Sequence, residues 1–261
     1  MSASAQRTVL VTGGTTRLGL AVSERLRASG WRVLTSSHRA DAGADLVADL
    51  SAPSGAAGLY AAAMRLLGGV PPDALVNNAA LFTGDDAAVE AVNLEAPRKL
   101  TMMMAGRETG RGAVVNVLDA SVLPSQFDGS ALSSGDARQP TVDGRSALSS
   151  GDARQPAADD QAPLGDSCAS PRYAASKRGL LEYTLKSAAM FAQTLRVNAV
   201  APGPVLSPAG VHERAHETLL GRPRPEDVAR AVEFLLDAES TTGAVIPVDG
   251  GQHLLEASIL S

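Results

Sequence analysis

Tyr173 and Lys177 stand four residues apart at the start of an apolar pattern typical of a helix. On a helix, side chains at this spacing share one face. A free tyrosine has a pKa of about 10, so acid or base chemistry near neutral pH needs a shift of roughly 3 units. A neighbouring ammonium favours the phenolate and supplies part of that shift. The pair therefore suggests proton transfer, with an ordinary solvated surface pair as the alternative.

Two further polar residues could join this chemistry. Asp119 directly follows residues 113–118, which have the composition of a strand, and Asn93 lies inside a helix predicted from about 87 to 104. Asparagine is a mediocre helix former, so Asn93 has either a special role or an ordinary, partly exposed position. An acid at the end of a strand is as consistent with a loop cap as with a catalytic group.

A glycine turn at residues 12–19 follows the apolar run 8–11 and precedes a helical pattern. Such a turn lets the backbone approach a pyrophosphate, and the helix beyond it offers unpaired N–H groups and a positive dipole end. Arg17 occupies the place where the common G-x-G-x-x-G pattern has its middle glycine. The turn predicts a dinucleotide site, with a plain tight turn as the alternative.

The end of the second predicted strand, residues 31–35, indicates which dinucleotide would bind. An acid there suits a free ribose 2′-hydroxyl, whereas an arginine suits a 2′-phosphate. Here the strand runs into Ser37, His38 and Arg39. These residues, with Arg17, favour the phosphorylated cofactor over an ordinary polar turn. Asp49, after a third predicted strand at 44–50, either meets the adenine or caps the next helix.

The elements that must position these residues alternate between strand and helix along the whole chain. Further strands are predicted at 74–76, 113–118, 195–200 and 243–248, with helices at 53–67, 87–104 and 225–236. This alternation predicts an α/β fold: a single doubly wound Rossmann-type domain with a parallel sheet of about seven strands and helices on both faces. The segment from Asn77 to Ala80, with Phe82 just beyond it, then falls in the crevice where such sheets bind ligands.

Composition narrows the class of protein. The 261 residues are 44% hydrophobic, which permits one large core, and the formal net charge of −5 disfavours nucleic acid or an anionic membrane as a partner. The only cysteine, Cys168, cannot form an internal disulfide, and no apolar run approaches the ~20 residues of a membrane span. We therefore expect a soluble cytoplasmic protein that acts on a small molecule.

Helical and strand periodicity stops between residues 121 and 171, where Ser, Gly, Asp, Ala and Pro dominate. Within this stretch residues 130–140 recur letter for letter as residues 146–156. A segment of this composition cannot bury enough apolar surface to offset its ordering entropy. We therefore expect a single domain over 1–261 that carries a flexible, repeat-containing insertion at about 125–166.

The ordered motifs together resemble the short-chain dehydrogenase/reductase family. They are the glycine turn, Asn77-Asn78-Ala79, Asn93, Tyr173-x-x-x-Lys177, Pro202-Gly203 and Asp249-Gly250-Gly251. The resemblance implies that Tyr173 donates a proton, that Lys177 binds the nicotinamide ribose and lowers the tyrosine pKa, and that Asn93 holds a proton-relay water. It also implies a homotetramer and no metal. The cofactor-binding residues it implies are Gly13, Thr16, Arg17, Leu18, Gly19, Ser37, His38, Arg39, Asp49, Leu50, Asn78, Ala79, Ala80, Tyr173, Lys177, Pro202, Gly203 and Val205.

One departure from the family pattern points to a subgroup. Asp119 stands where the family usually has a serine, three residues after Asn116. Pteridine reductases and dihydromonapterin reductases are similar in this aspartate, in an arginine at the middle-glycine position, in His-Arg after the second strand, and in a phenylalanine after Asn-Asn-Ala. By that resemblance Arg17, Phe82, Asp119 and Tyr173 contact the substrate. A carboxylate also suits the N–H-rich edge of a 2-amino-4-oxo pterin better than a hydroxyl does.

Three functional hypotheses follow. The first is an NADPH-dependent reductase that transfers hydride to a C=N bond of a pterin or dihydropterin, with protonation through Tyr173. The second is a carbonyl reductase of the same family. The third is a non-catalytic NADP(H)-binding regulatory protein, which the complete set of Asn93, Tyr173 and Lys177 argues against, since a sensor needs no such set.

Overall fold

The computed structural model of the chain describes residues 6–108, 110–123, 171–205 and 218–255. Its centre is a seven-stranded sheet in the order β3-β2-β1-β4-β5-β6-β7, with every neighbouring pair parallel. This order confirms the predicted doubly wound fold. It also brings the carboxyl ends of all seven strands to one edge, where the predicted site residues meet.

The strands are short, apolar and, in the sheet centre, buried on both faces, as parallel strands covered by helices must be. Their bounds are β1 Thr8–Thr12, β2 Arg32–Ser37, β3 Leu46–Val47, β4 Ala74–Asn77, β5 Gly112–Val117, β6 Leu195–Pro202 and β7 Val245–Val248. The third strand is shorter than the predicted span 44–50. Asp45 accepts hydrogen bonds from the amide and hydroxyl of Thr35, and the chain leaves the ladder after Val47.

The helices connect successive strands. Their bounds are α1 Arg17–Ala28, α2 Gly55–Leu66, α3 Asp86–Glu90, α4 Ala96–Ala105, α5 Pro171–Met190, α6 Pro225–Asp237 and α7 Gln252–Leu255. A π-helical turn, Ala91–Glu95, joins α3 to α4 and contains Asn93. The predicted helix at 87–104 therefore exists, but a π-helical turn widens it at its middle. Such turns are frequent at functional positions.

Alternate strand residues supply the two faces of the core. In β1, Val9 and Val11 pack with α1 and α6, whereas Leu10 between them packs with α2 and α4 on the opposite face. A smaller cluster around Leu180 seats α5 against the carboxyl ends of β5 and β6. This packing holds α5 rigidly beside the crevice, which is what a helix carrying Tyr173 and Lys177 requires.

The predicted insertion at about 125–166, with its repeat, lies outside the described residues, as does Cys168. Among the helices that are described, none combines the length and the apolar composition that crossing a membrane requires.

Candidate active site

A cavity of about 830 Å³ opens at the carboxyl edge of the sheet. This volume lies within the usual range for small-molecule and cofactor sites. Its wall includes all eighteen residues predicted to bind cofactor, together with Phe82 and Asp119. Asn93 is the one predicted site residue that does not line it.

The glycine turn between β1 and α1 forms the floor of this cavity. Gly13 has a positive φ of 62°, and a side chain at Gly19 would overlap the Gly13 carbonyl. Arg17 has a φ of 51°, the only positive φ of a non-glycine residue in the described part of the chain. Such backbone strain is typical of ligand clamps. The first turn of α1 lines the cavity without a side-chain cap from Thr16, so it could hold a pyrophosphate.

Thr12 and Asn78 hold this turn against the end of β4. The Thr12 hydroxyl accepts from the amides of Asn78 and Ala79 at 3.0 and 3.1 Å. In return, the Asn78 side chain donates to the carbonyls of Thr12 and Gly13 at 2.9 and 3.1 Å. The side chains of Thr12 and Asn78 therefore set the shape of the cavity floor through hydrogen bonds to backbone groups between β1 and β4.

A buried chain of hydrogen-bonded side chains connects α5 to the sheet. The Asn77 amide donates to Asn116 at 2.8 Å, and the Asn116 amide donates to the Thr184 hydroxyl of α5 at 2.9 Å. All three side chains are almost fully buried. Because buried polar groups are costly to leave unpaired, this chain fixes the register of α5 against β4 and β5.

Tyr173 faces Asp119 in the wall of the cavity. The tyrosine hydroxyl donates to a carboxylate oxygen of Asp119 at 3.0 Å, and the other oxygen accepts from the amide and hydroxyl of Ser121 at 2.9 and 2.6 Å. Tyr173 is only 3% exposed. The surface-pair alternative is therefore wrong.

The expectation that the tyrosine pKa is lowered is also wrong. Burial, and then the Asp119 carboxylate, raise the pKa of Tyr173 well above its ordinary value. The carboxylate binds the protonated phenol and repels the phenolate, so both effects keep the proton on the tyrosine. The phenol is therefore protonated at neutral pH, but the raised pKa also makes it a weaker acid than a free tyrosine.

Lys177 lies one turn beyond Tyr173 on the same face of α5. Its Nζ donates to the Val117 carbonyl at 2.7 Å and lies 5.7 Å from the centre of the Tyr173 ring. The side chain is 2% exposed, and burial lowers the pKa of Lys177 to about 8, with the Asp119 carboxylate acting in the opposite direction. The ammonium is therefore held in the wall of the cavity by a backbone carbonyl.

Asn93 is placed by the π turn behind the cavity rather than in its wall. Its carboxamide accepts from the Leu81 amide at 2.8 Å and donates to the Leu81 carbonyl at 2.9 Å. The same amide donates to Ser176 at 3.2 Å, and Ser176 donates to the Tyr173 carbonyl at 2.8 Å. The side chain of Asn93 therefore links the loop after β4 to α5.

Phe82, next to Leu81, lies over Tyr173. The two rings are stacked, with centroids 4.8 Å apart and planes 22° apart. Phe82 is 54% exposed. Its ring therefore offers an accessible aromatic face in the wall of the cavity.

The opposite end of the cavity is lined by Ser37, His38 and Arg39 after β2 and by Asp49 after β3. The guanidinium of Arg39 makes two hydrogen bonds to Asp41, at 2.9 and 2.7 Å. The Asp49 carboxylate accepts from the amide and hydroxyl of Ser51 at 2.9 and 2.6 Å, which lowers the pKa of Asp49. Asp49 thus caps the turn that leads to α2 while also lining the cavity.

Sequence reasoning missed several residues that shape this site. Asp41 follows Arg39 by two residues, a spacing that could have signalled the ion pair. Thr12 and Ser176 gave no comparable signal, because their partners lie 66 and 83 residues away. Cavity-lining residues that were not predicted are Thr15, Ser36, Ala42, Ala48, Ser51, Leu81, Val92, Val117 and Leu118.

Comparison with known proteins agrees with this arrangement. A profile of the family described as "Enoyl-(Acyl carrier protein) reductase" matches residues 166–253. The chain is 31% identical to the "Granaticin polyketide synthase putative ketoacyl reductase 2" of Streptomyces violaceoruber, over 94% of this chain and 96% of that protein.

Two solved structures have the same fold. The first is FolM Alternative dihydrofolate reductase 1 from Brucella canis complexed with NADP, with a TM-score of 0.69, 28% identity and coverage of 95% of this chain and 94% of that one. The second is the 3-alpha-hydroxysteroid dehydrogenase of Pseudomonas sp. B-0831 complexed with NADH, with a TM-score of 0.68, 25% identity and coverage of 97% and 100%.

The sheet order, the glycine turn and the Tyr173 and Lys177 pair define an oxidoreductase site on a dinucleotide-binding fold. The chain belongs to the short-chain dehydrogenase/reductase family.

Proposed function

We propose that the protein is an NADPH-dependent reductase of a pterin or dihydropterin. The observation that carries the proposal is the pairing of Tyr173 with Asp119 beneath the exposed ring of Phe82. A carboxylate, a phenol and an aromatic face together suit a flat, N–H-rich heterocycle. Asp119 can accept from the amino edge of such a ring, and Phe82 can stack on its face.

Different residues have different roles in the proposed reaction. The first turn of α1 and the glycine turn hold the pyrophosphate, and Arg39 with its neighbours binds a 2′-phosphate. When bound, the reduced nicotinamide supplies the hydride. Tyr173 is protonated near neutral pH and delivers the proton to the substrate. Lys177, held on the Val117 carbonyl, binds the nicotinamide ribose and compensates negative charge that develops on the phenol oxygen.

The proposed substrate class is also consistent with one of the structural relatives. The Brucella canis neighbour is titled an alternative dihydrofolate reductase and is complexed with NADP. Dihydrofolate carries a reduced pterin ring, so the substrate proposed here has the same heterocycle. The relation supports the proposal at 28% identity, and the carboxylate of Asp119 supports it independently.

A second candidate is a carbonyl reductase. The 31% identity to a protein named as a ketoacyl reductase favours it. The same Tyr173 could protonate a carbonyl oxygen, but this candidate gives the carboxylate of Asp119 no favourable role. A carboxylate repels the oxygen of a reacting carbonyl, because that oxygen gains negative charge as the hydride is transferred.

NADPH oxidation measured against a panel of pterins, dihydropterins, folates, ketones and 3-oxoacyl thioesters tests the two candidates. We expect turnover with at least one pterin and a kcat/KM that exceeds the best carbonyl value. A panel in which only carbonyl compounds are reduced would establish the second candidate. NADH, tested in parallel, should give a lower kcat/KM because it lacks the 2′-phosphate. The cytoplasmic setting and the homotetramer stay predictions.

A further inference from the structure

Arg39 is bound sideways by Asp41 at the adenosine end of the cavity. The Nε of Arg39 donates to one carboxylate oxygen at 2.9 Å and one terminal nitrogen donates to the other at 2.7 Å. Arg39 lines the cavity, whereas Asp41 does not. Asp41 therefore contacts the guanidinium of a cavity-lining residue without lining the cavity itself.

The donor geometry of arginine permits a second ligand at the same time. A guanidinium has five N–H donors in one plane, and the sideways pair with Asp41 uses two of them. Two terminal nitrogens still present a parallel pair of N–H groups at the end of the side chain. That pair matches the spacing of two oxygens of a phosphate.

The backbone around the pair is also shaped to keep it in place. The amide of Arg39 donates to the Ser37 hydroxyl at 3.1 Å, and residues Ala40–Ala42 form one 3-10 turn that ends at Gly43, with a φ of 64°. This turn brings the carboxylate of Asp41 beside the guanidinium of Arg39, which precedes it by two residues. The cause of the pairing is therefore local geometry rather than a chance contact of long side chains.

We propose that Asp41 is a positioning residue for the 2′-phosphate of the dinucleotide, acting through Arg39. This inference rests on the proposed NADPH dependence. An exposed arginine otherwise loses much rotamer freedom when it binds a ligand, and a guanidinium already held in the cavity wall has lost that freedom beforehand. The negative charge of Asp41 would oppose phosphate binding, but we expect the gain from positioning to exceed this repulsion, because Asp41 is largely exposed and its charge is screened.

The test is calorimetric titration of the ligand-free protein with 2′,5′-ADP and, separately, 5′-AMP, which differ only in the 2′-phosphate. Asp41→Ala should weaken 2′,5′-ADP binding by about threefold at low salt, the scale of an exposed ion pair. Binding of 5′-AMP should not change. Asp41→Asn keeps an acceptor for the guanidinium, so it should restore 2′,5′-ADP affinity to within about twofold of the unsubstituted protein.

Asp237→Ala is a matched control, because it removes a partly exposed carboxylate from another arginine pair, that of Arg7, away from the cavity. It should leave both affinities unchanged. Unchanged or tighter 2′,5′-ADP binding in Asp41→Ala would show that Asp41 does not position Arg39. That result would leave the proposed function intact if the unsubstituted protein prefers 2′,5′-ADP. Equal affinity of that protein for the two nucleotides would instead overturn both the NADPH assignment and the role of Asp41.

Discussion

The two ends of the cavity contain the same kind of contact in opposite surroundings. At each end a hydrogen-bond donor is paired with an aspartate at about 3 Å, Tyr173 with Asp119 and Arg39 with Asp41. The Tyr173 side chain is almost fully buried, whereas the side chains of Arg39 and Asp41 are 63% and 70% exposed. Water and salt screen the outer pair but reach the inner one far less.

Burial therefore decides what each pair can do. At the inner end burial, and then the Asp119 carboxylate, raise the pKa of Tyr173, so the surroundings of the phenol decide how readily it gives up its proton. At the outer end a charge-assisted contact of similar length contributes little energy and mainly selects a geometry. Chemistry should therefore depend on the inner pair, and cofactor choice should depend weakly and in a salt-sensitive way on the outer pair.

Tyr173→Phe should have the largest effect, because it removes the proposed proton donor together with its hydrogen bond to Asp119. We expect kcat to fall by about a thousandfold, within the range for general acids. NADPH affinity, followed by the quenching of protein fluorescence, should change little, since the glycine turn is untouched. Retention of most of the activity would place the proton donor elsewhere, and lost NADPH binding would show that the ring is needed structurally.

Asp119→Ser should come next and should discriminate between substrates. A hydrogen bond to a charged group contributes about 1.5–3 kcal/mol, so kcat/KM for a pterin should fall by about 10- to 100-fold. Reduction of a simple ketone, where it is seen, should lose less. Equal losses on both substrates would contradict a specific contact between Asp119 and the pterin.

The parts of this site that sequence predicts are those in which local spacing fixes geometry. The placement of Tyr173 and Lys177 on one face follows from the helical period, and the glycine turn follows from its position after β1. The raised tyrosine pKa could not be predicted, because it depends on burial and on a contact spanning 54 residues. The side-chain bonds of Asn93 likewise required the path of the β4 loop and the π turn.

The strands show the same limit. The central strands were predicted closely because both of their faces are buried, which gives a continuous apolar run. Only Leu46 and Val47 of the predicted third strand pair with β2. There the pairing ends for a tertiary reason, since Asp45 bonds Thr35 and Asp49 caps the following turn. The alternation of strands and helices therefore predicted the doubly wound parallel sheet, but the sequence did not predict the length of an edge strand.

Lys177 should give the buried end a pH dependence. Its pKa is about 8 in the folded protein, below the 10.5 of a free lysine, so between these values the unfolded chain binds more protons. The free energy of unfolding should therefore rise with pH across this window, by about 1 kcal/mol between pH 7 and 9. Urea unfolding of the ligand-free protein and of Lys177→Met at both pH values measures it. The rise should be absent in the variant; an equal rise in both would assign it to other groups.

The outer pair should show the smallest effect and the strongest dependence on salt. Arg39→Ala removes a guanidinium that lines the cavity but is largely exposed, so NADPH affinity should fall by about fivefold at low salt. The loss should shrink when ionic strength is raised to 0.5 M, because the Debye length then falls to roughly 4 Å. NADH affinity should not change at either salt, since no 2′-phosphate is present. Arg39→Asp adds repulsion and should narrow or invert the preference. If Arg39→Ala lowered NADPH and NADH affinity equally, the arginine would act on the shape of the loop rather than on the phosphate, and the two ends of the cavity would differ less than burial implies.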